Sequence, residues 1–344
     1  MAIAPVRIGI IGCGAVTSVC HLPAARAVRE AAVVALADTN QERAAFLARR
    51  FGVGTITQDY RRLVGAIDGA IVALPHALHA PVATELLRAG VPVLVEKPLA
   101  TTTEEALQLV TVARETGVPL QAGYMFRYSR AARLVKRILE EGWLGTIQGF
   151  SLESGGIYSW PIASGFFWQK AQAGGGVLID TGSHMLDLLL WWLGDVVDLE
   201  YRDDNLGGVE ADCWMALALR GPAGVVRGEV TMSRLRRLRS AARIVGSAFT
   251  LECGLSGRYP VRVWPTAWQG DGVSFVGEYE GGATDSFERM FVEQLREFAR
   301  VVRERTPPAV SGESVLGVIA LIERCYRERR PLEQPWLHPV KVPS

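Results

Sequence analysis

A chain of 344 residues exceeds what one hydrophobic core usually organises, so two domains are expected. With 49% hydrophobic and 21% charged residues it is no disordered chain, and a formal net charge of +1 leaves no global field to draw nucleic acid or an acidic membrane. The five cysteines lie far apart without a CxxC pair, which reads as buried thiols in a reducing compartment rather than a disulfide framework or a zinc site.

The start, MAIAPVRIGIIG, has neither a basic segment nor a long apolar core, so it reads as a strand and not as a signal peptide. Val6–Ile11 ends in glycine, and a helical stretch follows from Ala15 to Arg29. Val33–Ala37 is the next apolar run, then Gln41–Phe51 a helix, Ala70–Ala73 a strand, Pro81–Ala89 a helix and Pro92–Val95 a strand. Thr103–Thr116 carries Ala106, Leu109, Val110 and Ala113 at helical spacing, and Leu120–Ala122 closes the series. Strands separated by helices of this length imply right-handed βαβ units and a parallel, doubly wound sheet.

After Gly123 the texture changes. Arg130–Glu141 reads as a helix, and a glycine-rich stretch leads to another at Leu178–Leu193. From Val196 to about Val276 short β-rich runs dominate, among them Met215–Leu219, Gly224–Met232, Ala242–Val245, Phe249–Leu251 and Val261–Trp264. Ser286–Glu304 and Glu313–Arg329 return to helix. The fold expected is an α/β Rossmann domain, 1–123, followed by an α+β domain with a large, mostly antiparallel open sheet, 124–344. The longest apolar helix candidate, Met185 to Leu193, has about half the length needed to span a bilayer, so a cytoplasmic protein is expected.

The first strand–helix junction reads Gly12-Cys13-Gly14-Ala15-Val16-Thr17. Gly12 permits a tight turn, and Gly14 lets the backbone approach a pyrophosphate placed on the helix N-terminus with Ala15 and Val16. Thr17 replaces the third glycine and is expected to crowd the helix–strand contact. A GxG alone is weak, and a bare turn would give the same letters. Asp38, ending the next strand, strengthens it, because an acid there accepts hydrogen bonds from the ribose hydroxyls and repels a 2′-phosphate. NAD is therefore expected, with NADP left open by Arg43 one turn on.

Glu96-Lys97-Pro98 ends a later strand. Ligands of open α/β sheets bind beyond the carboxyl ends of the strands, so Lys97 would reach the crevice, where an ammonium eases alkoxide character on a substrate hydroxyl. Asp180 and His184 stand one helical turn apart, where a carboxylate beside an imidazole raises its basicity and fixes its orientation. A plain helix pair is the bland alternative. Metal ligation through Asp180, His184 and Asp187 has no second His or Cys cluster to complete it.

The segments LPHALHAPVATELLRAGVPVLVEKPLA, GYMFRYSRAARLVKRILEEGWLGTI and GGGVLIDTGSHMLDLLLWWLG, in this order and spacing, resemble the Gfo/Idh/MocA oxidoreductases over most of residues 6–195. The resemblance implies an NAD(P)-dependent dehydrogenase or reductase moving a hydride to or from a secondary hydroxyl or ketone of a sugar or polyol. It implies that Lys97, between Glu96 and Pro98, touches cofactor and substrate, that Asp180 anchors substrate and that His184 transfers the proton. Arg127 and the loop residues Leu74, Pro75, His76 and His79 are placed by it at the cofactor. It also implies a homodimer or homotetramer paired through the second sheet. Non-redox relatives of the family, dinucleotide-binding regulators and NAD-dependent glycosidases, are the alternative.

Two further clusters are less specific. Tyr158 and Trp168 are the aromatic residues expected to meet a sugar face. Arg234, Arg236, Arg237 and Arg239 read as a solvated face or subunit contact, with a phosphorylated or nucleotide-linked substrate as the minor option.

Overall fold

The computed structural model describes residues 4–205, 207–222, 224–255, 260–267, 277–279 and 285–333. The first half is built from β1 (Val6–Ile11), α1 (Leu22–Arg26), β2 (Ala31–Ala37), α2 (Gln41–Phe51), β3 (Thr55–Thr57), β4 (Gly69–Val72), α3 (His79–Arg88), β5 (Val93–Glu96), α4 (Thr103–Thr116) and β6 (Leu120–Gly123). Asn40 and Thr102 cap α2 and α4 by accepting from N–H groups of the first turn, and Gly52 and Gly117 end them in the left-handed conformation.

All strand pairs of this sheet are parallel, in the order β3-β2-β1-β4-β5-β6. The order reverses between β1 and β4, which opens a crevice at the carboxyl ends of the central strands. Two details differ from the sequence reading. The helix expected over 15–29 is a π-helical turn, Thr17–His21, that passes into the short α1, with Pro23 at its start where no N–H is required. The edge strand β3 is three residues long and mostly exposed, so it leaves no apolar run to find.

The second half contains α5 (Arg130–Glu140), β7 (Ile147–Gly155), α6 (Lys170–Ala173), α7 (Ser183–Leu193), β8 (Asp195–Asp203), β9 (Asp212–Gly221), β10 (Gly224–Ser233), β11 (Ala241–Gly246), β12 (Phe249–Gly254), β13 (Val261–Pro265), β14 (Gly277–Tyr279), α8 (Phe287–Glu304), α9 (Leu316–Arg327) and β15 (Arg330–Pro331). Among the described residues its nine strands run β14-β13-β12-β11-β7-β10-β9-β8-β15, antiparallel except at β10–β7 and β15–β8. The sheet is large and mostly antiparallel, as expected. β7 is a long strand that sequence reading missed: only Phe150, Leu152 and Ser154 turn inward, and glycine, serine and glutamate between them mask the alternation. The last part of the expected β-rich stretch, 268–276, lies outside the described residues.

A boundary at 123 separates the two sheets but not the packing. α8 returns to the first domain, where Phe298 and Val302 fill the space above Gly69 of β4. The chain then borders β6, with Ala122 N–H donating to Val310 O (2.8 Å) and Gly312 N–H to Leu120 O (3.1 Å). One continuous apolar core joins both halves. Among the described residues no helix is long and apolar enough to cross a membrane.

Candidate active site

The loop after β1 has a backbone that only glycine suits at its first position. Gly12 has φ +99°, and a Cβ there would overlap the carbonyl of Ala73 at the end of β4. At Gly14 a Cβ would meet nothing within 4 Å, so the loop is open towards the cleft. Thr17 does not crowd this turn: its buried hydroxyl donates to Gly12 O at 2.6 Å and closes it. Asp38 accepts from Cys13 N–H and Asn40 N–H, both at 2.7 Å, and from the Arg43 guanidinium at 3.0 Å. Arg43 also donates to Ala163 O across the cleft at 3.2 Å. A positive-φ glycine, an open backbone at Gly14 and an acid at the end of β2 fit a dinucleotide.

Gly12, Gly14, Ala15, Val16 and Asp38 line one end of a cleft of about 760 Å³. Lys97, Asp180, His184 and Tyr158 line the other, with Leu74, Pro75, His76, His79 and Glu96 along the wall between. Pro98 stays behind the wall: its carbonyl and that of Leu74 hold the two ring nitrogens of His79 at 2.7 and 2.8 Å, tying the turn after β5 to the loop after β4. The Glu96 carboxylate is engaged by His21 Nε2 at 2.8 Å and Lys97 N–H at 3.2 Å. Burial works to raise its pKa, but His21 and Lys97 prevail and hold it below the ordinary value.

Asp180 does not pair with His184 as its sequence spacing implies. It sits in a second π-helical turn, Leu178–Gly182, ahead of α7, and its carboxylate is gripped by Lys97 and Arg234. Burial would raise the pKa of Asp180, and these two cations overturn that, leaving it well below the ordinary carboxylate range. His184 instead stands edge-on between Phe126 (5.2 Å) and Tyr124 (5.9 Å), with Nδ1 buried and without a partner among the described residues. Burial, with the nearby Lys97 ammonium, pushes its pKa down to about 3, so the ring is neutral. His76, whose Nδ1 lies 2.7 Å from Ala173 O, is pushed to about 3 by burial as well.

Two expected site residues lie elsewhere. Arg127 is outside the lining: its guanidinium takes Asp187 in a two-point contact (2.6 and 2.8 Å), donates to Ser314 O and stacks on Trp191. Burial pushes Asp187 up to about 6 against the pull of Arg127. Trp168 is 55% exposed and stands behind Tyr158, while Phe166 and Phe167 face the cleft in its place.

Arg234, read with its neighbours as a solvated face or subunit contact, lines the cleft instead. Arg234 is 8% exposed, holds Asp180 and lies 4.7 Å from the ring centre of Tyr158. Val226, Val230 and Met232 of β10 point inward, and Arg234 continues that period of two. The neighbouring arginines hid this signal; Arg236 and Arg239 are themselves exposed and pair with the buried carboxylates of Asp212 and Glu252.

Residues 6–124 match the model of an oxidoreductase family with an NAD-binding Rossmann fold, and residues 132–252 that of the GFO/IDH/MocA C-terminal domain. A dTDP-3,4-didehydro-2,6-dideoxy-alpha-D-glucose 3-reductase from Saccharopolyspora spinosa is 29% identical, covering 95% of this chain and 98% of its own. The enzyme of the same name from Actinomadura kijaniata is 36% identical over 57% of this chain and 58% of its own. The structure of a 3-ketoreductase from Actinomadura kijaniata with NADP and TDP-benzene superposes with a TM-score of 0.80 at 26% identity, over 96% of this chain and 100% of that one.

Proposed function

The chain belongs to the GFO/IDH/MocA family of oxidoreductases, and from that premise we propose that it moves a hydride between a nicotinamide dinucleotide and a secondary hydroxyl or ketone of a sugar or polyol. The observation that carries this reading is the convergence of Lys97, Asp180 and His184 in the cleft that the Gly12–Val16 loop opens. The relatives, named as reductases, favour it over a regulator or a glycosidase.

The dinucleotide supplies the hydride acceptor in oxidation and the donor in reduction. In oxidation the substrate C–H leaves as hydride, the hydroxyl proton goes to neutral His184, and a ketone remains; reduction reverses each transfer. Lys97 donates to the reacting oxygen and steadies its developing negative charge. Asp180 holds that ammonium in place before substrate arrives and anchors a second hydroxyl. Tyr124 and Phe126 keep water from the imidazole. All five cysteines are free and buried, in keeping with a reducing cytoplasm. The exposed Val197 and Val225 on the second sheet suit a homodimer or homotetramer.

Asp38 favours NAD over NADP. Calorimetric titration is expected to show micromolar NADH binding, with Asp38→Ser shifting the NADH-to-NADPH affinity ratio by about tenfold towards NADPH as Arg43 is released. An unchanged ratio places ribose recognition elsewhere, and no binding of either dinucleotide overturns the oxidoreductase reading.

A pKa near 3 keeps His184 in its base form throughout the working range. The pH profile of kcat/KM for oxidation is therefore expected to lack a histidine limb between about pH 5 and 8. A limb near pH 6.5, removed by His184→Asn, would mean a hydrated imidazole.

A further inference from the structure

The cleft holds one more cation than hydride transfer from a neutral sugar requires. Arg234 follows β10 directly, and the turn after it is fixed by Ser233 Oγ, which accepts from Leu235 and Arg236 N–H groups at 3.0 Å each. The guanidinium is thereby committed inward, against the ring of Tyr158. Among the described residues only its Nη2 is hydrogen-bonded, to Asp180; Nε is buried without a partner there, and so is the Tyr158 hydroxyl. A guanidinium N–H can only donate, so an acceptor is missing from this corner.

The charges agree. Lys97 and Arg234 close on a single carboxylate, Asp180. Glu96 is turned onto His21 and the backbone N–H of Lys97, and Arg43 is paired with Asp38 at the far end of the cleft. At this corner Lys97 and Arg234 face one carboxylate, Asp180, which leaves the guanidinium edge room for a second acceptor.

We propose that the substrate is a sugar acid, its carboxylate received by Arg234 and Tyr158 beside the carbon that Lys97 and His184 serve. This rests on the oxidoreductase reading above and narrows it. A carboxylate is planar and matches the guanidinium edge at two points, which a single sugar hydroxyl does not. Asp180 yields part of its hold on Arg234 as the substrate enters and keeps Lys97.

The test compares oxidation of D-glucuronate, D-galacturonate and D-gluconate with that of D-glucose, D-galactose and D-glucitol, by NADH formation with the full chain. At least one acid is expected to exceed its neutral counterpart in kcat/KM by about tenfold or more, and Arg234→Met to lower that acid-to-neutral ratio by at least as much. Arg234→Lys, a point charge without the fork, should recover part of it. Preference for the neutral member of every pair overturns the proposal, as does preference for D-glucose 1-phosphate over every acid. So does an equal loss on acid and neutral substrates in Arg234→Met, which would make Arg234 a positioning residue for Asp180. NADH titration of the same preparations separates the two readings. Bound NADH with no acid oxidised overturns only the sugar-acid assignment, whereas absent binding removes the oxidoreductase reading beneath it.

Discussion

Replacing Lys97 by methionine is expected to lower turnover at least about a hundredfold while NADH affinity stays within about threefold, the pattern of losing a positioned electrostatic donor. The loss should be chemical and not structural, because Asp180 keeps Arg234 as its partner when Lys97 goes. No carboxylate is left buried alone, so the melting temperature should move little. Steady-state turnover on the best sugar of the panel, beside a calorimetric titration and a thermal melt, checks all three statements. Turnover within threefold of wild type would sink the role given to Lys97.

The second large effect is on stability. Asp187→Leu leaves the Arg127 guanidinium buried without its carboxylate, a change expected to cost about 3–5 kcal/mol in denaturant unfolding. The double variant Arg127→Met, Asp187→Leu strands no charge and should be more stable than Asp187→Leu alone. Below about 1 kcal/mol for the single change, the pair would be no brace of the α7 region. NADH binding carries a separate message. If Arg127 served the cofactor, the double variant would lose affinity; with Arg127 outside the cleft, the folded fraction should bind NADH as wild type does.

Most of the fold was legible because its signals are local. Apolar runs and helical spacings mark most elements from β1 to α4, the exposed β3 excepted. The loop glycines, Asp38, the Glu96-Lys97-Pro98 turn and the Asp180–His184 spacing were readable for the same reason. What was not readable depends on partners far away in sequence. Arg127 meets Asp187 across 60 positions, Arg234 meets Asp180 across 54, and nothing near either arginine announces the match. The direction of Asp180 was lost in another way: a π-helical turn rotates the residues it contains relative to an α-helical frame, so the four-residue spacing to His184 no longer guarantees contact.

The return of α8 to the first domain bears on how the protein is made. A ribosome delivers all six strands of the parallel sheet, and the whole glycine loop, long before it delivers Phe298 and Val302. Until then the face above Gly69 is bare and the border of β6 against Val310 is unformed. The nascent first domain therefore waits, with apolar surface uncovered, for the last part of the chain to seal it. Fragments ending before α8 inherit that bare face, and they should need chaperones or aggregate even though every nucleotide-loop residue is present.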